Sequence, residues 1–290
     1  MIGIAGPDVP HEVLLAAGCY AGPLVFDPAR ETPRARQWLE SKFAPWAPAV
    51  LESWLEGAYD HLDAVLFSRA DDTSQRLYYY TCELQRRGQL GGPEPMIIDI
   101  ARIPRAISRD RTIQQVRALA LRLGVGDGAL ETAICETNIR RAHPPVLAEG
   151  RRCLLAGSAP PDLRLHEAVL RAGWVPSGST LTQLWGDLGE PIEEGTADPA
   201  AAIGAQLHAR RGGPRSFADP GALLAETAAG CAAVVLWRIE EDEAQCWHLP
   251  AERRALAEMG VPHLVLTRRD WLAADGAGAE ITAFLQGLSA

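Results

Sequence analysis

The chain has 290 residues, of which 47% are hydrophobic and 22% charged, the balance of a globular protein with a substantial core. That length holds two α/β domains or one large one. A formal net charge of -9 argues against a general nucleic-acid binder, which needs a positive surface to displace counterions, but it leaves room for a local basic pocket.

Residues 1–18 lack the basic start of a signal peptide, and His11 and Glu12 interrupt their apolar run. No stretch approaches the ~20 uninterrupted apolar residues of a membrane span. The expectation is a cytoplasmic protein with neither membrane nor nucleic acid as partner. An apolar run, Leu24-Val25-Phe26, ends at Asp27-Pro28, and a helix is expected around 48–59. Residues 64–67 and 96–100 read as buried strands, with a helix over 73–87 between them that stops at Gly88. Ile113, Val116, Ala120 and Leu123 share a helical face closed by Gly124, and a second helix spans about 129–141. This helical pair is expected to bridge two lobes.

The alternation restarts at Arg152. Residues 153–156 form a strand leading into Gly157-Ser158, and Asp162 is placed to cap the helix whose face is Leu165, Val169 and Ala172. Residues 186–216 read as a long loop around one helix near 199–210. A helix (220–229), a strand (232–237), a helix (251–259) and a strand (263–267) complete the chain. Strands separated by helices imply parallel pairing. The fold class expected is α/β, with two Rossmann-like or flavodoxin-like lobes, parallel sheets and a helical linker. The boundaries are 1–148 for the N-terminal lobe with the linker and 149–290 for the C-terminal lobe.

In parallel α/β sheets, ligands gather beyond the carboxyl ends of strands. The candidate cleft residues are therefore Ser68, Arg69, Asp72, Gly157, Ser158, Ser179, Thr180, Arg238 and Glu240. Arg69 is suited to pair with a carboxylate or thioester oxygen, and Asp71 to accept a proton. Capping of the following helix by Asp71 or Asp72 competes with that role. Gly157-Ser158 before a helix suits a phosphate, against which Asp162 stands as a like charge. The carboxylates of 240–243 read as cation ligands or as solvated loop. Tyr78-Tyr79-Tyr80 reads as packing with at most one or two rings facing a site. Arg210, Arg211 and Arg215 read as an anion contact or a surface loop. His248 and His263 have no nucleophile paired with them. The serines lack the G-x-S-x-G setting of a hydrolase. Six cysteines, at 19, 82, 135, 153, 231 and 246, include no CxxC pair, so reduced thiols are expected rather than zinc ligands or disulfides.

Several segments together resemble the benzoyl-CoA reductase/2-hydroxyacyl-CoA dehydratase family, which includes the 2-hydroxyglutaryl-CoA dehydratase D-component. Pro10–Gly18 is similar to that family's P-x-E-L-x-x-A-A-G opening. Residues 63–78 resemble its strand, cluster loop and helix, and Ile98-Asp99-Ile100-Ala101-Arg102 its L-D-x-P-R segment. Leu119–Gly124 with Ala133 and Asn138-Ile139-Arg140 resembles its linking helices. Leu154–Ser158 with Ala172-Gly173 resembles the start of its second lobe, and Gly260–Leu264 its G-I-P-x-L turn. The resemblance implies an acyl-CoA ligand, a homologous partner subunit or a self-dimer, and electron delivery from an iron–sulfur cluster held by cysteines in three loops. Here the first of those positions reads Ala70-Asp71, the second lies in Ser177–Thr182 and the third in Arg238–Asp242, all without thiols. No cofactor is expected. The alternative is a 4Fe-4S cluster assembled from Cys19, Cys82 and Cys246. The functional expectation is a cluster-free subunit or relative that supports a partner or shapes an acyl-CoA pocket. An active dehydratase or reductase with atypical ligands and a repurposed small-molecule binding module are the alternatives.

Overall fold

The computed structural model describes residues 1–143, 149–212 and 217–288. Along the chain its elements are β1 (Ile2–Ala5), α1 (His11–Ala16), β2 (Tyr20–Pro23), α2 (Trp46–Leu55), β3 (Ala64–Ser68), α3 (Asp72–Arg86), β4 (Glu94–Ile98), α4 (Ala106–Arg122) and α5 (Asp127–Ala142). There follow β5 (Arg152–Gly157), α6 (Arg164–Arg171), β6 (Val175–Ser177), α7 (Leu181–Trp185), α8 (Pro199–Ala209), α9 (Pro220–Thr227), β7 (Ala233–Ile239), α10 (Glu243–Cys246), α11 (Leu249–Met259), β8 (His263–Arg269) and α12 (Ala277–Gly287).

All strand pairs are parallel, and they build two four-stranded sheets of the same order, β2-β1-β3-β4 and β6-β5-β7-β8. This is the α/β class with two Rossmann-like or flavodoxin-like lobes. The central strands are buried on both faces: every residue of β3 (AVLFS) and β7 (AVVLWRI) is buried. Two-sided burial selects continuous apolar runs, and this is why these strands are conspicuous in the sequence. The edge strands β2 and β6 are short and only half-buried. The expected run at 24–26 lies just past β2; its Leu24 is buried and donates its N–H to Ile4 O at 2.9 Å.

The chain divides into two compact units: Met1–Ser41, Ala47–Pro145 and Trp185–Phe217 form unit 1, and Lys42–Trp46, Val146–Leu184 and Ala218–Ala290 form unit 2. Two expectations change here. The pair α4 and α5, read as a bridge, packs within unit 1, α5 on α1 and α4 on α8. And 149–290 is not one lobe, because Trp185–Phe217 returns to unit 1. The physical reason is a close helix crossing. Gly204 of α8 sits so near α4 that an added Cβ would lie 2.7 Å from Ile113 Cα. The apolar side of α8 (Ala200, Ile203, Leu207) is buried, as are Ile113 and Val116 of α4. Asp198 caps α8 by accepting from Ala201 N at 3.0 Å, and Pro199 starts it. A third expectation fails locally: Asp162 does not cap α6, whose N-cap is Leu163; it accepts from Arg164 N and pairs with the Arg164 guanidinium at 2.6 Å.

Gly157 ends β5 with φ 105°, and an added Cβ would lie 2.1 Å from the Trp237 carbonyl oxygen. Gly18 also has positive φ, 63°, but open space around it. Gly157→Ala is expected to cost about 3 kcal/mol and Gly18→Ala about 1 kcal/mol, the difference being the steric conflict added to the backbone strain. Urea denaturation of the two variants measures both.

Candidate functional site

β1 of unit 1 runs into Gly6-Pro7-Asp8, beyond the carboxyl end of the sheet. Asp8 is buried and holds a left-handed backbone, φ 58°, a conformation that aspartate adopts more readily than most residues. Two arginines divide its carboxylate. Arg102, four residues past β4, donates Nη2 to Oδ2; Arg210, one residue past α8, donates Nη1 to Oδ1 at 3.0 Å. Arg102 Nη1 also donates to the Arg210 carbonyl at 2.6 Å, and Arg210 Nη2 to the Asp187 carbonyl at 3.0 Å. Beside them Arg141 of α5 pairs with Glu12 of α1 at 2.6 Å and donates to the Leu188 and Gly189 carbonyls. Burial and the neighbouring Arg210 bring the Arg102 guanidinium down to about 10, so it stays charged at neutral pH.

His11 opens α1 inside this cluster, 1% exposed and edge-on to Tyr20. Neither of its ring nitrogens makes a hydrogen bond of good geometry; the Asp187 main chain is a distorted neighbour. Burial first, then Arg210 and Arg141, lower its pKa to about 3, while the Asp187 main chain pulls weakly the other way. The imidazole is therefore neutral.

The expected residues of unit 1 lie on neighbouring loops and are engaged in structural roles. Ser68 is fully buried at the end of β3. Its N–H donates to Ser74 Oγ at 3.0 Å, and Ser74 Oγ donates to the Ala5 carbonyl, so one hydroxyl stitches the ends of β1 and β3. Asp71 caps α3, accepting from Ser74 N at 2.6 Å, which is the capping alternative rather than a proton acceptor's setting. Asp72 is exposed in the first turn of α3, where a carboxylate favours the helix dipole. Arg69 pairs with Asp99 at 3.1 Å, with Arg111 3.7 Å from the same carboxylate. Tyr78 is pushed up to about 12 by burial first and by Cys82 next, which suits a packed ring. Arg210 is a buried partner of Asp8 and not part of a surface loop; Arg215 lies outside the described residues.

In unit 2 the structure brings Ser158 and Arg238 together. Ser158 Oγ donates to Asp242 Oδ2 at 2.6 Å and accepts from Ile239 N at 3.2 Å. Arg238, 3% exposed, pairs with Glu252 and Gln245 and lies 3.8 Å from Asp242. Burial raises the Glu252 carboxyl against the opposing pull of Arg238. Glu240 stays outside this network, exposed and paired with Arg268 at 3.1 Å. Thr180 is buried, and its N–H donates to Gln183 Oε1 at 2.9 Å, while Ser179 is exposed. Gly178 approaches β5 so closely that a Cβ would lie 2.3 Å from Leu155 O, and its carbonyl contacts His166 Nε2 at 2.9 Å.

The loops that the resemblance assigns to cluster cysteines thus hold a buried alanine (Ala70), hydroxyls (Ser177–Thr182) and paired carboxylates (Glu240, Asp242). These donors do not fit an iron–sulfur cluster, which takes thiolates. Cys19 lies ahead of β2 with Sγ 3.6 Å from Leu14 O, Cys82 lies on α3, and Cys246 is exposed on α10 in unit 2. Among the described residues no three His, Cys, Asp or Glu side chains gather as a metal-binding group. No helix among them is long and apolar enough to cross a membrane. The chain matches no protein-family model, and no curated protein is significantly similar to it.

Asp8, Glu12, Arg141 and Glu252 are the site residues that sequence reading passes over, while Asp242, expected as a cation ligand or solvated loop, instead accepts from Ser158. The available signal is an acidic residue just past a glycine that ends a buried strand, as in Gly6-Pro7-Asp8.

His11 makes stability pH-dependent. Neutral in the fold to about pH 3, it takes up a proton below about 6.5 once unfolded. Its contribution is complete above 6.5 and shrinks as pH falls toward 3, with about 2 kcal/mol lost between pH 7 and pH 5. In His11→Phe, which keeps a ring against Tyr20, this loss should vanish; urea midpoints at both pH values report it. Asp71→Ala should cost about 1 kcal/mol by loss of the cap, read in the same assay.

Proposed function

We propose that this chain is a cluster-free relative of the benzoyl-CoA reductase/2-hydroxyacyl-CoA dehydratase family, one that supports a homologous partner subunit or shapes an acyl-CoA pocket without redox chemistry of its own. The observation that carries this reading is the state of the three loops. In each, the side chains are apolar, hydroxylic or acidic, and several already serve local structure: Asp71 caps α3, Thr180 Oγ1 accepts from the Gln183 N–H, and Asp242 accepts from Ser158. Loops tied in this way present shape and polarity and do not supply electrons. The doubled β2-β1-β3-β4 order supports the resemblance at the level of architecture.

A second reading, a repurposed small-molecule binding module, is favoured by the Arg102–Asp8–Arg210 cluster at the carboxyl edge of unit 1. It differs from the first in needing no partner subunit.

Iron and acid-labile sulfide, measured with a visible spectrum on protein purified without oxygen, test the proposal. The expected result is a folded, colourless protein with neither element. Stoichiometric iron and sulfide would overturn it and favour an active enzyme with ligands among Cys19, Cys82 and Cys246.

A further inference from the structure

We propose that the carboxyl edge of unit 1 binds a small oxyanion, a carboxylate or phosphate group, at the buried Arg102–Asp8–Arg210 cluster. The inference rests on charge and on unused donors, and it is independent of the cluster-free reading.

Three guanidinium groups, Arg102, Arg141 and Arg210, have side chains 6%, 4% and 10% exposed. They face two buried carboxylates, Asp8 and Glu12. The next carboxylate in reach, Asp187, is 3.8 Å from Arg210 and its side chain is 57% exposed. Each guanidinium thus has an ion-pair partner, but two of them share Asp8, and the third carboxylate, Asp187, stays mostly in water. His11, neutral, adds no charge. A buried charge whose counter-ions are shared or solvated is only partly compensated, and a dissociable anion would complete the compensation.

The donors point to an oxyanion in particular. Arg102 commits Nη2 to Asp8 and Nη1 to the Arg210 carbonyl, and its Nε is buried without an acceptor. Arg210 Nε is also without an acceptor, but Gly189 lies against it, an ideal Cβ there falling 2.8 Å away. Arg102 Nε–H is thus a donor left without an acceptor. Directional N–H groups on a planar guanidinium select carboxylate or phosphate oxygens over a spherical halide. The position agrees: in open α/β sheets ligands bind beyond the carboxyl ends of strands, and Asp8 follows β1 while Arg102 follows β4. The left-handed Asp8 fits a loop held to a purpose. Exposed Arg105 and Arg109 flank the start of α4, whose first turn has no acid, so the local field favours an approaching anion.

The test titrates the full chain with sodium phosphate and, separately, sodium acetate, at an ionic strength held constant with chloride. Tm and the arginine Nε–H resonances are followed by thermal melting and heteronuclear NMR. At ten times Kd, Tm should rise by about 3 °C. The Arg102 Nε–H resonance, assigned by its absence from Arg102→Lys, should move. Arg102→Lys retains a charge for Asp8 but lacks Nε–H, and should bind roughly tenfold more weakly. A response to phosphate alone identifies a phosphate-bearing ligand, and a response to acetate alone a carboxylate. Equal Tm in phosphate, acetate and chloride with unmoved Nε–H resonances would overturn the proposal. So would binding that disappears in the Arg105→Gln/Arg109→Gln double variant while the Arg102 resonance stays still, because the exposed start of α4 would then be the site. If Arg102→Lys does not fold, all arginine Nε–H resonances of the wild type staying still during titration overturns the proposal, and any that move while the double variant still binds support it.

Discussion

The carboxylate of Asp8 is the point on which unit 1 closes. It receives Arg102 and Arg210, residues 94 and 202 positions away in the chain. Through Arg210 it fixes the end of α8, and so the segment that leaves unit 2 at Leu184 and packs on unit 1. Breaking such a buried pair by removing one partner typically costs about 3–5 kcal/mol, because the other charge is left stranded. Arg141 extends the clasp by holding the carbonyls of Leu188 and Gly189 together with Glu12. The segment is thus docked by apolar contact along α8, by guanidinium hydrogen bonds to the Leu188 and Gly189 carbonyls and by the Arg210–Asp8 ion pair after α8.

Both lobes close the crevice between their two central strands with a serine hydroxyl. In unit 1, Ser74 Oγ bonds the Ala5 carbonyl and receives the Ser68 N–H. In unit 2, Ser158 Oγ receives the Ile239 N–H and donates to Asp242. The two solutions use different elements, a helix in one case and a loop in the other. Each answers the same need: backbone groups splayed at the strand ends must find partners when they are buried. A glycine accompanies each. Gly6 has φ 133° and packs against Ser74, and Gly157 packs against the Trp237 carbonyl.

This self-pairing bears on function. Residues that chemistry would recruit, such as Asp71, Ser158 and Arg238, already satisfy neighbours in the fold. At Arg102 and Arg210, by contrast, two guanidinium groups share the single buried carboxylate of Asp8. The loops beyond strands β3, β5 and β7 are thus occupied by structure, whereas Arg102 Nε in the arginine cluster has no acceptor.

Several strongly buried elements are legible in the sequence, although β1, buried at all four of its residues, is not, because so short a run with Gly3 inside it carries little strand signal. β3, β7, α3, α8 and α11 lie where their apolar runs, caps and glycines put them, because two-sided burial and capping chemistry are local and leave a local signature. The Asp71 cap was legible for the same reason, as one of two readings. The half-exposed edge strands β2 and β6 carry weak apolar contrast and were missed or displaced by a few residues. Where Trp185–Phe217 belongs, and which arginine meets which carboxylate, follows from long-range packing. Nothing in the spacing of Asp8, Arg102 and Arg210 announces their meeting, since a long-range ion pair has no period. It forms because helix packing, Gly204 against Ile113, brings Arg210 to the loop after β1.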